Sequence, residues 1–205
     1  MPLLDTRTTS LLRVSTLASR PEYRNELAEE LRLVKTASSV SRAELYEVFL
    51  QSYLFAGFPA ALESVRALTK IFGAESGNME EPEEIIDAYK DHLAKGEMLY
   101  KKVYAANAGR VREEMIRLSP ELAAWAMIEG YGKTLSREAL DAKTRELCTV
   151  AQLTQLGWER QLFSHILGAR NVGSGIEEIL EAAAIGAKGD MAKLESAEQL
   201  VKKLV

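Results

Sequence analysis

Cysteine, histidine and proline are all scarce in this chain. A single cysteine, Cys148, cannot close an internal disulfide, and one thiol with two histidines, His92 and His165, cannot assemble a four-ligand structural zinc site from soft ligands. The expectation is a cytoplasmic protein that holds no metal. Charge of one sign is also missing: 26 basic residues against 30 acidic ones, a net of -4, leave no reservoir of positive charge for a phosphate backbone and no polybasic patch. No nucleic acid and no membrane are therefore expected among its partners. No uninterrupted apolar run approaches the roughly 20 residues that span a bilayer. The opening MPLLDTRTTS also lacks the basic segment followed by an apolar stretch that marks a secretory signal.

What is present is an ordinary folded composition, 47% hydrophobic and 27% charged over 205 residues, and a chain of this size buries roughly 70% of its unfolded surface. Only five prolines interrupt it, and apolar residues recur at three and four rather than at two, which predicts an all-α fold. Leu11, Val14 and Ala18 form one stripe, and Leu27, Leu31 and Val34 a second. Ser41 and Glu44 form a capping box that opens a third helix. That helix is apolar almost all round, so it is expected to be central, with a kink or break at Gly57-Phe58-Pro59.

The polar, glycine-rich stretch at 73–81 reads as a linker, which divides one compact domain into an amino-terminal half, 1–72, and a carboxy-terminal half, 82–205. Past it, Pro82 suits a helix start, with Ile85, Ile86, Tyr89 and Leu93 on one face and His92 at the surface. Ser119-Pro120-Glu121 starts another helix, closed by Gly130. The two glycines around Tyr131 permit a tight loop that approaches another backbone. Helices then run from Asp141 to Gly157 and from Trp158 to Gly173. A capping box at Ser174 and Glu177 begins the next, and an amphipathic helix ends the sequence. Residues 4–14 parallel residues 140–150, a weak internal repeat that suggests two related helical halves.

The chemistry gathers in the pair of helices from Asp141 to Gly173. Glu146 lies eleven residues before Gly157 and His165 eight after it, so in an antiparallel hairpin they sit roughly 4.5 Å apart along the axis and can meet. Trp158, Gln161, His165 and Gly168 share a stripe that resembles a pocket wall. The pair has two readings. One is a buried, satisfied contact that stitches two helices together. The other is an acid/base pair, in which the carboxylate fixes the tautomer of an imidazole that accepts and returns a proton. Cations able to hold a carboxylated substrate are Arg145, Lys133 and Arg160. For Arg145 the competing reading is a surface salt bridge, and Tyr131 either donates its hydroxyl into the pocket or packs as a lid.

The segment RELCTVAQLTQLGWERQLFSHILGARNVG, with Glu146 and His165 at this separation, resembles the carboxymuconolactone decarboxylases and the related alkyl hydroperoxidase D proteins. The stretch LYEVFLQSYLFAGFPAALESVRAL and the GYGKTLSR loop add to the likeness. The resemblance implies an all-α fold of the hydroperoxidase D type assembled as a homo-oligomer, a trimer being favoured for a duplicated chain. In the peroxidase branch a Cys-x-x-Cys pair precedes the histidine. Here those two positions are Trp158 and Gln161, so no redox pair exists. The decarboxylase branch implies cofactor-free proton transfer as a small carboxylated lactone or ring compound loses carbon dioxide. That assigns His165 and Glu146 to catalysis and Tyr131, Lys133, Arg145, Trp158 and Gln161 to substrate binding. The alternatives are a hydroperoxidase-type antioxidant and a non-catalytic oligomeric small-molecule binder.

Overall fold

The structure, a computed structural model, describes residues 3–75 and 82–204. Among them there is no strand, and the fold is all-α. In chain order the helices are α1 (Thr6–Leu17), α2 (Arg24–Ala37), α3 (Arg42–Phe72), α4 (Pro82–Tyr104), α5 (Ala108–Leu118), α6 (Pro120–Trp125), α7 (Ala142–Leu156), α8 (Glu159–Asn171), α9 (Ile176–Ala187) and α10 (Met191–Lys202). Most of the 73–81 stretch read as a linker lies outside the described residues. The chain's own contacts divide it differently from halves at 72 and 82: Met1–Ala74 joins Ala139–Val205 in one compact unit, and Glu75–Glu138 forms a second.

The first unit is built on α1, α7 and α9, whose Leu11, Leu12, Leu147, Val150 and Ile179 are fully or almost fully buried together. Both expected stripes, Leu11/Val14/Ala18 and Leu27/Leu31/Val34, face this core. The helices begin where local chemistry satisfies their free N–H groups. Asp5 accepts from the Thr8 N–H at 2.6 Å, Asp141 from the Thr144 N–H at 2.9 Å, and Ser41 and Glu44 close their capping box. The start of α9 differs from expectation by one residue. Glu178, not Glu177, reaches back to the Gly175 N–H at 2.7 Å, and Ser174 is left in the turn before it.

Helix α3 bends at Gly57, whose φ of 85° only glycine adopts cheaply. Its first half is central as expected, with Leu45, Val48 and Phe49 fully buried. The second half is central on one side only: Leu68 is fully buried, while Phe58 and Leu62 are 68% and 64% exposed. Over eighteen residues its mean hydropathy reaches 1.2, so by length and composition this helix is long and apolar enough to cross a membrane, although 33% of that window is buried here. A search for uninterrupted apolar runs overlooks it because its few polar residues are spread along its length.

In the second unit α4 packs against a π-helical segment, Ala126–Leu135, that occupies the place of the expected loop. The tight approach predicted for its glycines is real. A Cβ on Gly132 would lie 2.0 Å from the His92 carbonyl oxygen, so the two backbones touch and no side chain fits between them. The face of α4 that is buried is Gly96, Tyr100 and Val103 rather than the predicted one. Tyr89 and Leu93 are 51% and 41% exposed, and the side chains of Ile85 and Ile86 lie outside the described residues. The reason is Gly132, which pulls the π-helical segment onto the turn of α4 that starts at His92.

Candidate functional site

The α7–α8 hairpin places Glu146 and His165 across from each other. Helix α7 starts on Asp141 and closes at Gly157, in the left-handed conformation with φ 78°, and Trp158 then caps α8. The His165 Nδ1 lies 2.9 Å from Glu146 Oε2. Both side chains are buried, the imidazole with 9% of its surface exposed and the carboxylate with 4%. An ionised carboxylate can only accept, so Nδ1 is the donor. In the neutral ring the lone pair is then on Nε2. Phe55 of α3 stands edge-on to the imidazole, with centroids 5.3 Å apart and planes at 88°. The ring is therefore held by a hydrogen bond on one side and an aromatic on another, the restraint that a positioned base requires.

Two other residues of the expected stripe are exposed. Trp158 is 59% exposed and Gln161 is exposed as well. They share a helical stripe with His165, but they stand at the start of α8, Trp158 as its N-cap residue and Gln161 in its first turn. Arg145 is a correction of a different kind. It is 2% exposed, neither a surface salt bridge nor a free cation, and its guanidinium donates to Glu47 Oε2 at 2.8 Å and to Gln51 Oε1 at 3.2 Å. Tyr131 and Lys133 belong to the second unit. There the Tyr131 and Tyr104 hydroxyls are 2.9 Å apart within an aromatic cluster that includes Tyr100, and Lys133 pairs with Glu129 at 3.6 Å.

Glu47 and Gln51 are what sequence reasoning missed. The Gln51 amide also donates to the Arg145 carbonyl at 3.2 Å, so α3 and α7 are joined by a buried ion pair with an amide beside it. A glutamate at Glu47 in an otherwise apolar run was the available signal, because a buried carboxylate requires a cation from elsewhere in the fold. Cys148, one turn past Arg145, is fully buried, and burial pushes its thiol up to about 12 despite the nearby arginines. It is no nucleophile at neutral pH. Among the described residues no cluster of His, Cys, Asp and Glu could hold a metal ion.

Residues 120–202, which include the hairpin and its Glu146–His165 pair, match the model of the carboxymuconolactone decarboxylase family. The chain is also similar to Peroxisomal protein 2 of Schizosaccharomyces pombe, 29% identical over 140 residues, or 68% of this chain. The match spans 65% of the length of that curated relative. The carboxymuconolactone decarboxylase match places both members of the pair inside the family segment and leaves Glu47 and Gln51 outside it.

Proposed function

We propose that this carboxymuconolactone decarboxylase-like chain is a cofactor-free acid/base enzyme of the lyase type, acting on a small carboxylated lactone or ring compound and working as a homo-oligomer, a trimer being favoured. The observation that carries the reading is the buried pair, an imidazole whose Nδ1 is held at 2.9 Å by the Glu146 carboxylate. In decarboxylation the bond to the carboxylate carbon breaks, carbon dioxide leaves, and the electron pair stays on the ring carbon as an enolate. A proton delivered from His165 Nε2 to that carbon completes the step, and the Glu146 carboxylate balances the imidazolium that precedes it.

The test is carbon dioxide release from a panel of small carboxylated lactones. Turnover is expected to fall about 10²- to 10⁴-fold in His165→Ala, and by less in Glu146→Gln, with the helical circular dichroism of both variants intact. Turnover that is unchanged in folded His165→Ala removes the reading. Peroxide consumption with a dithiol reductant addresses the antioxidant alternative. The buried, protonated Cys148 and the absence of a second cysteine predict no turnover, and Cys148→Ser is expected to behave like the parent.

A further inference from the structure

The first unit contains a cleft of about 870 Å³ between the end of α1, α2 and the second half of α3. Neither Glu146 nor His165 lines it. Its floor is apolar, with Leu27, Ala60 and Ala67 among its residues, while six cations and a single carboxylate, Glu63, stand around it. In a chain whose net charge is -4 that is a strong local inversion of sign.

Of the six, Arg66 is paired with Glu63 at 3.0 Å, and Lys35 donates to the Ile71 carbonyl at 2.5 Å. Arg24, Arg32 and Lys70 have no carboxylate partner among the described residues. Arg20 is the partly buried one. One of its terminal nitrogens donates to the Gln155 carbonyl at 3.3 Å, but its Nε is buried without a hydrogen-bond partner.

A second orphan is on α7, behind the cleft's lining residues. Ser15 donates to the Cys148 carbonyl at 3.0 Å, and Arg20 to that of Gln155, so α1 runs alongside α7 in a register that sets Ser19 and Arg20 next to Gln152. The Gln152 side chain is fully buried, and neither its oxygen nor its nitrogen has a partner. Buried polar groups are nearly always satisfied. The unsatisfied one at Arg20, among the residues that line this cationic, apolar-floored cleft, marks the place where a ligand's head group belongs.

We propose that this cleft binds a single-chain amphiphile with an anionic head, a carboxylate or a phosphate, its head at Arg20 and its aliphatic chain on the floor between α2 and α3. Guanidinium groups suit either head because their planar fork donates two parallel hydrogen bonds. The cleft's size is in the range of small-molecule sites, and an apolar floor with a few convergent polar groups is their usual lining.

Isothermal titration of the full chain with dodecanoate, dodecyl phosphate and dodecanol tests this. At least one anion is expected to bind, and which of the two binds tighter identifies the head. The alcohol is expected to bind at least about tenfold more weakly. Arg24→Glu, at an exposed position, and Ala60→Trp, which fills the floor, are each expected to weaken the anion about tenfold or more while melting like the parent. Alcohol and anion binding equally would overturn the proposal. So would no binding by any of the three together with a change in oligomeric mass in Ala60→Trp, which would make the cleft an interface between copies of this chain.

Discussion

The two compact units bury different things. In the first, the interior holds charge: Glu47 with Arg145, and Glu146 with His165, all in or against α7. In the second, the described interior is uncharged, with Tyr100, Tyr104 and Tyr131 in one cluster among Val103, Met127, Ile128 and Leu135, and Gly132 pressed on the His92 carbonyl. The more conspicuous motif in the sequence, GYGKT, therefore serves packing, while the plainer-looking α7 carries the ionisable groups. A buried charge must be answered by another charge from a distant part of the chain. A close backbone contact needs only the absence of a side chain.

The largest expected effect would break the charged interior. Glu47→Ala leaves Arg145 buried without its carboxylate and is expected to cost about 3–5 kcal/mol in chemical denaturation, whereas replacing both partners by apolar residues of similar volume should recover most of that. A double variant as unstable as Glu47→Ala would show that the loss comes from packing and not from an orphaned charge. Next is Gly132→Ala in the second unit, expected to cost roughly 3 kcal/mol because the clash is with backbone that cannot step aside. Hydrogen exchange should show the loss concentrated in residues 88–138. Protection lost equally in α1 and α7 would mean that the two units do not respond separately.

The smallest effect sharpens the comparison at the mouth of α7. Burial alone would raise the Asp141 carboxyl, but the Thr144 N–H and hydroxyl, with Arg7 nearby, outweigh it and hold the group below its ordinary 3.8. A carboxyl lowered by folding stabilises the native state above its unfolded value, and that contribution disappears as pH falls through the lower folded value. Asp141→Ala should therefore cost about 1 kcal/mol near neutrality, and the gap from the parent should close below about pH 4. A gap that persists into stronger acid would mean that the cap acts through shape and not through charge.

Local chemistry was legible in the sequence, and long-range pairing much less so. Ser41, Ser119, Asp141 and Gly157 mark helix ends because caps and left-handed glycines act within a few residues. Glu146 and His165 could be paired in advance because one short turn joins their helices, so counting residues from Gly157 fixes their heights. Glu47 and Arg145 are separated by 98 positions, and nothing local says that α3 lies on α7. The Trp158–Gln161–His165 stripe misleads for the opposite reason. Helical spacing assigns a face but does not say how far along the helix its neighbour extends.

The scarcity of histidine, noted first as an absence, gives the Glu146 contact a practical meaning. A ring N–H held against a buried carboxylate exchanges slowly with water and resonates far downfield of the amides. In a chain with two imidazoles, a single nitrogen-labelled spectrum contains just one other ring to assign. Proton traffic at the site can thus be followed atom by atom before any substrate is in hand.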